Sequence, residues 1–307
     1  MEQGGPMNTR DLVGYGGSPP DLRWPNGARL AVSVVLNFED GAELQVGDGD
    51  LASEPMGEVA SVVPPGRRDQ GQESLFAYGT RAGIWRMLRA LDETDIRATI
   101  FFYGRAVERS PELARVVVAR GHEPAVHGWR WRPHADYETE AAEAADLDRC
   151  RDVIAAATGV APVGFFCRGG ESSWTRKLLA ERGYLYTSNA FDDDLPYWDM
   201  QAAGRPLLVV PYALDTNDMK FFHPNGFVRP AEMVEYVRGA LDVLGEEAER
   251  GEARLLNVGF HLRIAGRPAR FAAFRDTLQL LAARRDRIWI ATRAEIARAF
   301  AAAVPPG

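Results

Sequence analysis

The sequence has only two cysteines, Cys150 and Cys167. Two are too few for a disulfide framework or a cysteine-based metal site. No stretch of about 18 consecutive apolar residues occurs, so no membrane-spanning helix is expected. The first residues, MEQGGPMNTRDLVGYGG, lack a basic start followed by an apolar run. No secretory leader is therefore expected, and a cytoplasmic protein is. No G-x-S-x-G elbow is present, which argues against a serine nucleophile of that kind. G-x-x-x-x-G-K-[ST] is missing, and no G-x-G-x-x-G joins a strand to a helix, which argues against nucleotide binding. Nor is there an excess of positive charge, since 36 Lys and Arg face 43 Asp and Glu for a net charge of −7. That balance disfavours nucleic acid or an anionic membrane as the main partner and leaves a small-molecule substrate.

What is present is a chain of 307 residues, 46% of them hydrophobic, enough for one large core. Extended and helical patterns alternate along it. Strand-like runs cover 30–38, 98–102, 123–126, 163–166, 207–211, 255–260 and 288–290. Helix-like runs, with apolar residues at three- and four-residue spacing, cover 81–93, 111–120, 138–158, 175–182, 230–250 and 269–284. Such alternation predicts an α/β fold with a mostly parallel sheet wrapped by helices. About seven units predict a closed or nearly closed (β/α) barrel, with the chemistry at the carboxyl ends of the strands. Residues 41–79 break the pattern with little periodicity, several glycines and Pro64-Pro65. A loop that long predicts a lid or a subunit contact inside one catalytic domain spanning 1–307.

The polar residues that follow the strand-like runs are the candidates for chemistry. Glu39 and Asp40 follow the first run, and His127, Trp129, Trp131 and His134 the third. Cys167, Arg168 and Glu171 follow the fourth. Asp215, Asn217 and Asp218 come after the fifth, and His261 and Arg263 after the sixth. In a barrel they point into one bowl. Carboxylate, histidine and arginine together suit hydrolysis of an amide or ester. A carboxylate takes a proton from the attacking water, charged donors stabilise the oxyanion, and a histidine protonates the leaving nitrogen. His122 and His223 are read as structural.

NFEDG, HGWRW, CRGG and VGFHLR, in that order, resemble the spaced motifs of the polysaccharide deacetylase (NodB-homology) superfamily. Longer stretches, including RDLVGYGGSPPDLRWPNGARLAVSVVLNFEDGAE, ESLFAYGTRAGIWRMLR, PYALDTNDMKFF and HLRIAGRPAR, resemble its branch of PuuE-type allantoinases. The resemblance runs along nearly the whole chain. It implies an irregular (β/α) barrel that hydrolyses amides, with Glu39 as catalytic base and Asp40 as metal-binding acid. The family's arginine falls on Arg168 and its late general-acid histidine on His261.

The pattern is not complete. Metal-dependent members carry two histidines four residues apart, and here His127 is followed at that spacing by Trp131. The allantoinase-like branch shares that loss, which implies no tightly bound metal. A single zinc ion on Asp40 and His127, with His134 as third ligand, is the competing expectation. The reading is a cytoplasmic, homo-oligomeric hydrolase that opens a cyclic amide such as allantoin or a related hydantoin, ureide or imide. Glu39, His261 and Arg168 carry catalysis in it, while Trp129, Trp198, Asn217 and Asp218 contact substrate. The alternatives are an N-deacetylase for an N-acetyl sugar or natural-product intermediate, and a barrel that only binds a ligand.

Overall fold

The computed structural model describes residues 10–307. Among these, nine strands form one sheet: β1 (Leu30–Phe38), β2 (Thr99–Tyr103), β3 (Glu123–Gly128), β4 (Gly164–Phe165), β5 (Tyr186–Thr187), β6 (Tyr197–Asp199), β7 (Leu207–Val209), β8 (Arg254–His261) and β9 (Ile288–Ile290). Their order is β6-β7-β5-β4-β3-β2-β1-β8, with β9 also paired to β1. Pairing is parallel throughout except for the β6–β7 pair. The sheet curls into an irregular, open barrel. At the seam, Asn217 forms a single parallel bridge to Gly259. A Cβ at Gly259 would lie 2.2 Å from the Tyr212 hydroxyl, so the close approach requires glycine.

The helices are α1 (Gln70–Tyr78), α2 (Ile84–Thr94), α3 (Gly104–Arg109), α4 (Pro111–Ala119), α5 (Glu140–Thr158), α6 (Thr175–Glu181), α7 (Pro230–Glu249), α8 (Pro268–Ala282) and α9 (Arg293–Ala303). Pro111, Pro230 and Pro268 stand in first turns, where a missing N–H costs nothing. The expected seven strands and six helices are all found, with small shifts at their ends. β5, β6, α1, α3 and α9 are additions. The stretch 41–79 is not all loop, because α1 occupies nine residues near its end. Asp69 caps α1 by accepting from the Gln72 N–H at 3.0 Å. A π-helical turn over Gly79–Gly83 then joins α1 to α2.

β1 sets the layout. Its side chains alternate, as extended backbone requires. Leu30, Val32, Val34, Leu36 and Phe38 pack into the core beneath the helices. Ala31 and Val35 belong to a second core, inside the barrel. Each buried aliphatic or aromatic side chain contributes roughly 1.5–3 kcal/mol. Ser33 shares this inner face and accepts from Arg293 of α9 at 3.1 Å. Arg293 is fully buried and also donates to Asn257, Ser188 and the Pro211 carbonyl. It thereby ties β1 and β8 to the chain after β7, across the seam. The inner core and this arginine fill the barrel below the strand ends that carry the site.

Candidate active site

Continuing the alternation of β1 carries Glu39 inward. Glu39 Oε1 lies 3.4 Å from His127 Nε2 and 3.5 Å from His261 Nε2, while Oε2 meets Arg263 Nη1 at 2.5 Å. The odd positions of β8 also face inward, through Asn257 and Gly259 to His261, and Arg263 follows two residues later. Four sequence candidates, Glu39, His127, His261 and Arg263, are thus brought together.

His127 is clamped between the rings of Tyr103 (centroids 4.3 Å apart) and Phe166 (5.1 Å). Its Nδ1 donates to the Phe166 carbonyl at 2.5 Å, which leaves Nε2 facing Glu39. Asp218 holds His261 from behind. Its Oδ1 accepts from His261 Nδ1 at 2.6 Å, and Oδ2 accepts from the His261 and Ala265 backbone N–H groups at 2.8 and 3.1 Å. Asn37 Nδ2 lies 3.3 Å from His261 Nε2.

These contacts set the charges. Burial opposes ionisation of Glu39, but the positive charges of His261 and Arg263 hold its carboxyl well below the usual range. Burial alone would lower His261, yet Glu39 and Asp218 raise it to about 9. Burial lowers His127, so that ring stays neutral. At neutral pH the bowl therefore presents a carboxylate base beside an imidazolium acid, the pairing that hydrolysis of an amide requires.

Several expected positions differ. Arg168 does not meet Glu39. Its guanidinium pairs with Glu54 at 2.9 Å and stacks over Trp131 at 3.8 Å, and Arg263 takes the place beside the base. Asp218 directs both oxygens to the His261 turn, where they accept three hydrogen bonds. Asn217 donates to the Tyr212 hydroxyl at 2.9 Å and caps the Met219 N–H at 2.8 Å. Trp198 lies on the antiparallel strand β6, with its indole N–H on the Val304 carbonyl at 2.8 Å. Trp129 packs against Gly104 and under the Arg149 guanidinium, between α3 and α5. The left-handed Gly128 (φ 99°) breaks the alternation after His127 and turns Trp129 away. Trp131 is the indole beside the bowl, 4.9 Å from the Arg263 guanidinium.

The candidate zinc ligands do not converge. Asp40 turns to the opposite face from Glu39, where a Cβ on Gly79 would sit 2.2 Å from its Oδ2. Burial pushes its carboxyl well above the usual range. His134 Nδ1 is tied to Glu143 at 2.8 Å. Among the described residues no three His, Cys, Asp or Glu side chains are grouped to hold a metal ion, which falls short of the three protein ligands a zinc site needs.

The segment ahead of α1 lies against the loops that carry these residues. Trp131 N–H donates to the Ala42 carbonyl at 3.0 Å, Arg130 bonds the Ala42 and Glu43 carbonyls, and Arg168 bonds Glu54. Glu39, Arg263 and His261 are accordingly only 2%, 4% and 5% exposed.

Residues 72–186 match the polysaccharide deacetylase family model. The chain is 33% identical over 321 aligned positions to a Schizosaccharomyces pombe protein named "Putative polysaccharide deacetylase", covering 97% of this chain and 98% of that one. Its structure superimposes with a TM-score of 0.91 on a probable polysaccharide deacetylase from Pseudomonas aeruginosa PAO1, at 40% identity, covering 97% of this chain and 99% of that one. The crystal structure of PuuE allantoinase gives the same TM-score of 0.91 at 39% identity, with 97% and 99% covered. With a fold and a full-length likeness of this kind, the chain belongs to the polysaccharide deacetylase family and is a hydrolase of carbon–nitrogen bonds other than peptide bonds.

Proposed function

We propose that this hydrolase opens the ring of a cyclic amide, with allantoin or a related hydantoin, ureide or imide as substrate. The observation that carries the reading is Glu39, ionised and set between two imidazoles in a bowl that is closed over. A base only 2% exposed suits a small ring enclosed by the protein better than a polymer laid along an open surface. Likeness to PuuE allantoinase along 97% of the chain supports the same substrate class.

In the mechanism, water donates to Glu39 Oε1 and to the bare Nε2 of His127. Glu39 takes a proton as the water oxygen bonds to the carbonyl carbon. The tetrahedral intermediate then collapses, the carbon–nitrogen bond breaks, and His261 gives its Nε2 proton to the leaving nitrogen. Glu39 returns its proton to His261 across the 3.5 Å between them, and both groups are reset. No metal enters these steps, since Asp40, His127 and His134 do not form a site for one. A cytoplasmic homo-oligomer without nucleic-acid or membrane partners belongs to the same reading. No helix among the described residues is long and apolar enough to cross a membrane.

Removal of an acetyl group from an N-acetyl sugar is the second reading, favoured by the family match over 72–186. Product analysis separates the two. The purified enzyme is incubated with allantoin and, separately, with N-acetylglucosamine oligomers. A ring-opened ureido acid supports the first reading, and release of acetate alone replaces it with the second.

A further inference from the structure

Arg263 uses little of its guanidinium. Nη1 is on Glu39, whereas Nε and Nη2 are buried and have no hydrogen-bond partner among the described residues. Leaving a buried donor unpaired costs about 1–3 kcal/mol, and more when it is charged. The cation is also held in place, with its central carbon 4.6 Å from the Phe76 ring centre and 4.9 Å from that of Trp131. Two positions of the metal-dependent pattern adjoin it. Trp131 stands where a second histidine ligand would be. Asp40, in the place of a metal-binding acid, has no hydrogen bond to either oxygen and feels the Arg263 charge.

We propose that Arg263 is a catalytic residue, whose unpaired Nε–Nη2 edge binds the carbonyl oxygen of the scissile amide and stabilises the oxyanion. Its fixed positive charge then does the work a metal does in metal-dependent relatives, namely polarising the carbonyl. The inference rests on the hydrolytic reading above. The geometry supports this division of labour. Glu39 Oε1 faces the two imidazoles and Oε2 faces Arg263, so attacking water and oxyanion donor sit on two sides of one carboxylate. As water adds, the carbonyl π pair moves onto oxygen and is met by two N–H groups already in place. Because that edge is sealed from bulk water, the charge meets a preorganised donor without solvent rearrangement. Tight packing on two rings keeps the fork in register, which an ammonium on a flexible stem would not do.

The test compares wild type, R263A and R263K on allantoin and on an N-acetylglucosamine oligomer, across pH, with and without added guanidinium ion at millimolar concentration. Which compound the wild type hydrolyses tests the ring-opening reading. The ratio of variant to wild type on that compound tests Arg263. The proposal expects kcat of R263A to fall by about 10²–10³-fold, with a smaller change in KM. Guanidinium should restore at least about tenfold of that loss, and R263K should stay at least about tenfold down. If R263A fails to fold by circular dichroism, R263K alone carries the comparison. A kcat within threefold of wild type in either variant overturns the proposal. So does an acid limb that moves while the plateau rate is unchanged, since that is the signature of a group that only tunes Glu39.

Discussion

Asp218 grips His261 twice, once at the imidazole Nδ1 (2.6 Å) and once at the backbone N–H (2.8 Å). One carboxylate thus fixes the ring's position, its tautomer and its charge, and leaves Nε2 pointing at Glu39.

The first prediction concerns pH. His261 is raised to about 9 by Glu39 and Asp218 against the effect of burial, so activity should fall on the alkaline side as pH passes about 9. Asp218→Asn keeps an acceptor for Nδ1 but removes the charge. Its alkaline limb should move to lower pH, and kcat should drop by roughly 10²-fold, the scale of a general-acid contribution. Stability follows the same sign. A folded-state pKa above the unfolded one gives stability that is complete below about 6.5 and is lost as pH rises through about 9. In D218N that dependence should flatten, as unfolding measured between pH 6 and 10 would show.

Glu39→Gln should abolish turnover and leave the fold intact. The amide still accepts from Arg263 but takes no proton from water. Near-normal turnover in E39Q would remove Glu39 from the role of base.

The ion pair between Arg168 and Glu54 joins the segment ahead of α1 to the loop after β4, with Glu54 buried and Arg168 partly exposed. Since Arg168 does not touch Glu39, Arg168→Ala should raise KM by several-fold and change kcat less. A loss of kcat comparable to that of E39Q would return Arg168 to the catalytic centre.

Gly79→Ala tests the contact that places Asp40. The added methyl would lie 2.2 Å from Asp40 Oδ2 and 2.9 Å from the Arg263 backbone nitrogen, too close for either to stay. Overpacking of this kind costs about 1–3 kcal/mol, so the unfolding midpoint should fall accordingly. Activity should fall with it, because Arg263 lies in the loop that is displaced.

Much of this was legible in the sequence, and the failures have physical causes. Long apolar runs such as 30–38 and 255–260 announce their strands. β5 and β6, of two and three residues, are too short for any period to register. α9 has its start signal in Thr292 and Glu295, whose reciprocal capping box is present in the structure. Its alanine-rich turns show little contrast between faces. Within the site, Glu39 and His261 were readable because a period of two persists past the strand ends. Arg263 lay on that same period, two residues beyond His261, but the family's arginine motif pointed to Arg168, and the period alone did not displace it. Spacing could not reveal that Gly128 reverses the alternation and exchanges Trp129 for Trp131, because a left-handed glycine leaves no mark on the residues around it.

The most direct test of the account is the hydrolysis of allantoin by the purified enzyme, measured before and after treatment with a chelator and again with zinc added back. Ring opening that continues at an unchanged rate after chelation is the predicted result. Failure to open the ring, or activity lost on chelation and restored by zinc, would contradict it.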